Sequence, residues 1–352
     1  MRDSSDSVER CSRKKKSRRQ ILKPLSLISG AVFLLILTLW AWASLWFVHH
    51  PRAWLEERCR SWPRLATHAL LWMGEPLGDV TDGIGLTGAD AVQVIDRPAP
   101  TDKVLFAGTP VRRSAPAPED ITILDRGDFC IGWSPRLRHP VWVAYHVPAS
   151  ARYESGKRPN FKKDPAIGSS PTAAHYAKTG YDRGHMAPNF AIATRFGPEA
   201  QSKTFLMSNI SPQTPALNRG LWRDIEHRIA ELWSNRWGEL WIIVGCISDG
   251  QETLSGTDID VPTWFYQVIV AQDGNEVRAM ALLLEQNVPW KGWPTRYLVT
   301  IDELEELTGL DFLADLPDDI EDALEAQRPT RLWPIRFSDI LRQISLRGSS
   351  SH

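Results

Sequence analysis

Cysteine is scarce in this chain, with four in 352 residues. Cys11, Cys59, Cys130 and Cys246 nowhere stand at Cys-x-x-Cys spacing, which removes the thiolate zinc sites that such spacing builds. No internal repeat recurs, and that excludes solenoids and propellers. A surplus of one charge is also missing, since 41 Lys and Arg face 42 Asp and Glu for a formal net charge of -1. Such a balance excludes a protein that coats nucleic acid through bulk charge, although a local basic cleft needs no global excess. Long apolar runs are absent except one, Leu25–Val48. The remaining composition, 43% hydrophobic and 24% charged, supplies one sizeable globular domain and rules out a disordered or fibrous chain.

That single run is preceded by Arg10, Arg13, Lys14, Lys15, Lys16, Arg18 and Arg19 and contains Trp40, Trp42 and Trp46 but no charge. As a helix it would rise about 36 Å, enough to cross a hydrocarbon core, and its basic flank would stay cytoplasmic. The expected topology is a single-pass signal anchor that displays the following domain outside the cytoplasm, in a periplasmic or extracellular space. A cleaved signal peptide is the competing reading, through Ala41-Trp42-Ala43. The long charged lead and the apolar Leu45-Trp46-Phe47-Val48 beyond that point favour an uncleaved anchor. A buried globular helix fits poorly because no polar face exists. Cys130 and Cys246 both lie in apolar, strand-like runs in this oxidising setting, so a disulfide and two buried free thiols remain alternatives.

The chain divides into a basic cytoplasmic tail at 1–24, the span at 25–48, a juxtamembrane helix and linker at 49–119, and a domain at 120–345. Trp54, Leu55, Cys59, Trp62, Leu65, Leu70 and Leu71 give an amphipathic stretch interrupted by Pro63, suited to a membrane surface or to packing on the domain. Pro98, Pro100, Pro116 and Pro118 mark semi-rigid linker pieces. Within the domain, 129–133 and 141–147 read as a hairpin, and 241–246, 263–271 and 277–285 as further strands. Leu221, Ile225, Ile229 and Leu232 share one face of a helix over 221–233. Acidic amphipathic helices follow at 301–308 and 320–326. Strands mixed with helices, without regular βαβ alternation, give an α+β class.

The chemistry concentrates in Tyr181-Asp182-Arg183-Gly184-His185-Met186-Ala187-Pro188-Asn189, then Ser208-Asn209-Ile210-Ser211-Pro212-Gln213, then Asn218-Arg219-Gly220-Leu221-Trp222-Arg223-Asp224-Ile225-Glu226. A base beside a guanidinium, followed by an amide and a carboxylate about two helical turns apart, is a minimum set for metal-assisted cleavage of a phosphate ester. At these residues the chain resembles the DNA/RNA non-specific endonucleases of the ββα-metal class. The Asp-Arg-Gly-His signature and the downstream Asn-x-Gly-x-Trp-x-x-x-Glu pattern occur in the family's order and spacing, over roughly residues 120–315 by the sequence. The resemblance implies a central antiparallel sheet flanked by helices with a ββα-metal active site, preceded here by one transmembrane helix. It also implies an endonuclease acting on both DNA and RNA.

His185 is the candidate general base, since imidazole ionises near neutral pH. By the resemblance Asn218 is the one direct protein ligand to magnesium, with manganese as the alternative, and Glu226 hydrogen-bonds water of the ion's shell. An Asn at a helix start is more commonly an N-cap, and a helix Glu is usually an exposed carboxylate. Arg183 is expected to clamp phosphate, and Arg158 matches the position of a second family arginine through a looser alignment. Asn209 is expected to order the backbone of the site, and Asp182 to orient its neighbours. Two departures stand out: Ala230 where several relatives carry arginine, with Arg228 pointing elsewhere on the helix, and Phe190 where many carry a small residue. A catalytically silent nucleic-acid-binding protein and a phosphodiesterase for smaller substrates are the alternative functions. A homodimer is the one protein partnership entertained.

Overall fold

The structure, a computed structural model, describes residues 93–94, 104–118, 120–290 and 294–334. Every described residue belongs to one compact unit, Gly78–His352. The expected tail, membrane span and juxtamembrane helix lie outside the described residues. Among the described residues, no helix is long and apolar enough to cross a membrane.

Twelve strands are described: β1 (Gln93–Val94), β2 (Val111–Arg112), β3 (Thr122–Asp125), β4 (Phe129–Ser134), β5 (His139–Val147), β6 (Asp182–His185), β7 (Ile210–Gln213), β8 (Leu240–Ile247), β9 (Trp264–Asp273), β10 (Glu276–Glu285), β11 (Leu298–Val299) and β12 (Leu310–Asp311). The central sheet runs in the order β1-β10-β9-β8-β5-β4-β3, with β11 also on β10, and β6-β7 and β2-β12 form two small ribbons. All of these named pairings are antiparallel. The helices are α1 (Asn189–Phe196), α2 (Pro198–Thr204), α3 (Trp222–Arg228), α4 (Ser234–Trp237), α5 (Ile301–Thr308) and α6 (Asp318–Glu325). This is the α+β architecture with a central antiparallel sheet that the sequence suggests.

Side chains alternate along a strand, so each long strand feeds two cores. Trp142 and Ala144 of β5, Ile243 of β8, Val268 of β9 and Ala281 of β10 bury against Leu304 of α5, Leu324 of α6 and Phe312. On the opposite side, Val143, Tyr145, Ile242, Val244, Phe265 and Ile269 are also fully buried, and there β7 packs on β5. The helix α5 begins at a capping box: Glu303 N–H donates to Thr300 Oγ1 (3.0 Å), and Thr300 N–H donates to the Glu303 carboxylate (2.9 Å). It stops at Gly309, whose φ of 69° is the left-handed geometry that glycine supplies at a helix end.

The stretch 49–119 does not lie wholly outside the domain, as a linker would. Val104, Phe106, Ala107 and Ala117 join the core beneath α5, and β2 pairs with β12. Apolar residues set among the prolines and glycines anchor this segment where composition suggests only a spacer. Cys130 and Cys246 are separate buried thiols. Cys130 pairs level with Ala144, and Ala144 with Ile243. Three residues along β8 then place Cys246 about 10 Å away along the strand and on the other face, too far for a bridge.

Candidate active site

The Asp-Arg-Gly-His motif is the strand β6, a structure that its polar sequence does not advertise. Asp182 pairs with Gln213, Arg183 with Pro212, Gly184 with Ser211 and His185 with Ile210. Glycine is required in the middle: a Cβ there would stand 2.2 Å from Gln213 Oε1 and 2.4 Å from Cδ. Asn209 is fully buried and holds the chain beyond His185. Its amide donates to the carbonyls of Ala187 and Thr204 (both 3.0 Å), and its oxygen accepts from Ala187 N–H (2.9 Å). On the far side of β7, Gln286 donates to the carbonyls of Pro212 (2.9 Å) and Pro262 (3.0 Å) and accepts from Thr214 N–H (2.9 Å). Thr214 in turn accepts from Asn218 N–H at 2.9 Å. The hairpin and the start of the next helix are thereby fixed to the end of β10.

That helical run extends from Leu217 to Trp237, with wider turns at Leu217–Leu221 and Ile229–Trp233 on either side of α3. Its backbone departs from helical angles at Gly220 (φ -104°, ψ -112°), so the glycine of the Asn-x-Gly-x-Trp pattern marks a break. Trp222 is 1% exposed and stands edge-on to Phe265 of β9, with centroids 5.7 Å apart; it pins α3 to the sheet. Ahead of the break, Asn218 donates its amide to Asp182 Oδ2 (2.9 Å), and Arg219 grips the same carboxylate through Nε (2.7 Å) and Nη2 (2.5 Å). Partial burial pushes the Asp182 carboxyl up, but the bonds from Arg219 and Asn218 outweigh it and hold the group below its ordinary value. With its nitrogen fixed on Asp182, Asn218 has its amide oxygen left to face outward from that bond.

His185 is 8% exposed and packs between two rings, edge-on to Phe205 at 4.7 Å and tilted to Phe161 at 5.3 Å. Burial, reinforced by Arg158 and Arg183, lowers it to about 3, so the imidazole is neutral at physiological pH. Its Nε2 is buried without a hydrogen-bond partner. Both arginines are exposed and ride on the same aromatic pair: Arg183 stands 4.7 Å from the Phe161 centroid and Arg158 5.7 Å from that of Phe205. Burial raises the half-buried Glu226 to about 8 against the downward pull of Trp222, Arg158 and Arg223. Arg158 therefore acts on His185 and Glu226 alike, which draws the loop of Gly156–Phe161 into the same site as β6 and α3. The buried Tyr145 hydroxyl, pushed up by burial and by Glu226, forms the floor beside the carboxylate.

Several contributors are not apparent from the motifs alone. Phe161 and Phe205 wall His185, and Gln286 ties down the hairpin. Both amide atoms of Gln213 are buried without partners. Gln213 closes the Ser208–Gln213 motif in the sequence, and the missing Cβ of Gly184 makes room for its side chain. Arg228 donates to Asp224 Oδ2 at 3.3 Å, while Ala230 is buried, so neither supplies a guanidinium one turn after Glu226. Phe190 is 42% exposed in the first turn of α1. The candidate donors fit a hard divalent cation: an amide oxygen at Asn218 and the Glu226 carboxylate offer oxygen, and no thiolate is among them.

The elements that carry His185, Gln213 and Asn218 are two paired strands and a helix, with α1 and α2 between the strands in the chain, the ββα arrangement of a hydrolytic nuclease site. The chain belongs to the DNA/RNA non-specific endonuclease family, whose model matches residues 108–319. It is 34% identical over 202 residues to a nuclease of Nostoc sp., covering 53% of this chain and 71% of that protein. The Serratia marcescens nuclease is 32% identical over 197 residues, covering 53% and 73%. The mitochondrial nuclease EXOG of Xenopus laevis is 30% identical over 211 residues, covering 54% and 58%. In fold, the chain matches one in the crystal structure of the EndoG/EndoGI complex, with a TM-score of 0.50, 24% identity, and coverage of 55% of this chain and 86% of that one.

Proposed function

We propose that this protein is a membrane-anchored, magnesium-dependent endonuclease that hydrolyses phosphodiester bonds of DNA and RNA without strong sequence preference. The observation that carries the reading is His185: neutral, walled by two rings, its Nε2 without a protein partner, on a strand whose first residue orients Asn218. Asn218 would hold the cation through its amide oxygen with Glu226 beside it, and manganese is the alternative ion. When bound, the ion neutralises charge on the phosphate and on the departing oxygen. His185 takes a proton from water as the water oxygen bonds to phosphorus. The bond from phosphorus to the 3′-oxygen breaks and the departing oxygen takes a proton from solvent, leaving 5′-phosphate and 3′-hydroxyl ends. Arg158 and Arg183 grip phosphate oxygens rather than base edges, so the site carries little sequence information.

Anchoring rests on the apolar Leu25–Val48 and its basic lead, which would place the catalytic domain outside the cytoplasm. A reporter fused after His352 and active only in the cytoplasm would overturn that topology. The catalytic reading is tested by incubating the full-length chain with plasmid DNA and with RNA, in magnesium or EDTA, beside a His185→Ala variant. Metal-dependent cutting that the substitution abolishes is the expected outcome. No cutting by the folded, metal-supplied chain would sink the reading and leave a protein that holds nucleic acid. Cleavage of a small aryl phosphodiester but not of DNA or RNA would make it a phosphodiesterase for smaller substrates.

A further inference from the structure

We propose that Asp302, Glu305 and Glu325 form a second divalent-cation site, suited to calcium, on the side of the sheet opposite the catalytic hairpin. Asp302 and Glu305 stand three residues apart on α5 and so share a face. Glu325 ends α6, which packs beside α5 on the same core. One carboxylate oxygen from each of the three lies within 4.8 Å of the other two. Oxygens at such separations can share a calcium ion, which binds carboxylates at about 2.3–2.6 Å, and the absence of nitrogen or sulfur donors suits a hard cation.

The second observation is Glu325 itself. It is 4% exposed, its Oε1 is buried, and it has no hydrogen-bond partner. A buried carboxylate is retained only when something neutralises it. The charged groups around it make matters worse: Glu305, Glu321, Asp302 and Asp311 all press on Glu325. Arg113 lies within this cluster and offsets part of its charge, acting on Glu305 and Glu321 as well as on Asp311. Arg113 pairs with Asp311 at 2.6 Å, and Arg328 pairs with Glu303. Glu321 Oε1 and Asp311 Oδ1 are likewise buried without partners, so a pool of negative charge surrounds the point where the three ligand oxygens converge. Without a cation, protonation is the remaining way to neutralise it. Burial first, then the neighbouring carboxylates, lift Glu325 to about 9; burial is also the main cause that lifts Glu305 to about 7.

The two forms of neutralisation separate in thermal unfolding of the full-length chain carrying Asn218→Ala, which removes the ligand proposed for the catalytic ion. The comparison is between EDTA and calcium chloride at neutral pH. Calcium a hundredfold above its Kd is expected to raise Tm by about 5–10 °C, with magnesium less effective. Adding Glu325→Gln is expected to abolish the rise while leaving Tm in EDTA little changed, because glutamine keeps the shape of the side chain without placing a charge there. Asp302→Asn, at an exposed position that cannot endanger folding, is expected to shrink the rise. No calcium-dependent rise, one that survives Glu325→Gln, or one that Asp302→Asn leaves at full size would overturn the site and assign the cluster to shared protons. The readout is independent of whether the chain cuts nucleic acid.

Discussion

On the side of the sheet that faces α5 and α6, Trp142, Ala144, Ile243 and Val268 meet Leu304, Phe312 and Leu324 in an apolar layer. On the side that faces the β6-β7 hairpin, the alternate residues of the same strands include Tyr145 and Gln267, whose polar atoms are buried without partners. His185 Nε2 and the Gln213 amide above them are in the same condition. A protein rarely leaves buried polar atoms unsatisfied, because each costs about 1–3 kcal/mol. On the hairpin side they gather at the candidate site, where water, an ion or a substrate completes the bonding; on the helix side Trp142 Nε1 and carboxylate oxygens of Asp311, Glu321 and Glu325 also lack partners. The helix face is closed by an apolar layer apart from that carboxylate cluster, and the hairpin face is open to completion at the candidate site.

The sharpest break of this contrast comes from one substitution on each side. His185→Ala is expected to lower kcat/KM about 10²–10⁴-fold while circular dichroism shows a folded domain. Phe312→Ala removes a fully buried ring that stands edge-on to Tyr266, with centroids 5.6 Å apart. It is expected to cost about 3–5 kcal/mol of stability and to leave kcat per folded molecule unchanged, as read by urea unfolding beside single-turnover cleavage. If Phe312→Ala lowered kcat as strongly as His185→Ala, the two faces would not be separable. A smaller effect is expected from Asp182→Asn, which weakens the carboxylate that orients Asn218. The magnesium concentration for half-maximal cleavage should rise about 10–100-fold, as for other supporting residues behind a metal ligand, with kcat at saturating metal changed less. A fall in kcat alone would place Asp182 in the chemistry rather than behind the ligand.

The closed face was the more legible of the two. Apolar runs rich in β-branched and aromatic residues in 141–147, 241–246 and 263–271, with 277–285 after them, mark strands close to their observed bounds, and the helix over 301–308 carries its start and stop signals in Thr300, Glu303 and Gly309. The candidate catalytic residues were legible as motifs, yet their secondary structure was not. Asp182 to His185 has no β-branched residue, and it becomes a strand only because β7 gives its backbone partners, with Asn209 fixing the chain just beyond it. The helices α1 and α2 follow directly after that motif, where attention to the chemistry hides a modest helical pattern. Gln286 and Phe205 could not be assigned from spacing at all, since they meet the site from 74 residues beyond Pro212 and from the far end of α2. The Pro-rich stretch before Asp120 misled for the opposite reason: composition reports the turns there and not the few apolar anchors, Val104 and Phe106, that bury.

The smallest expected effect lies in how stability depends on pH on the open face, measured in EDTA so that no ion intervenes. His185 falls from its ordinary 6.5 to about 3 in the folded chain. Between those values only the unfolded chain binds the proton, so its contribution is present above pH 6.5 and is lost as pH falls toward 3. Glu226 rises from 4.5 to about 8. There the folded chain alone holds the proton, so its contribution is present below pH 4.5 and is lost as pH rises toward 8. In the overlap from 4.5 to 6.5 the two slopes oppose and largely cancel. Each is bounded by about 1.4 kcal/mol per pH unit and falls short of that for Glu226, which is half-buried. His185→Gln should therefore flatten the acid limb of a urea-unfolding series, and Glu226→Gln should flatten the alkaline limb, each leaving the other intact. Glu305 and Glu325, on the opposite side of the sheet, contribute an alkaline slope of their own, so the informative quantity is the difference between variant and parent. If both substitutions left the pH series unchanged, the buried charge balance assigned to the open face would be wrong even with the cleavage activity intact.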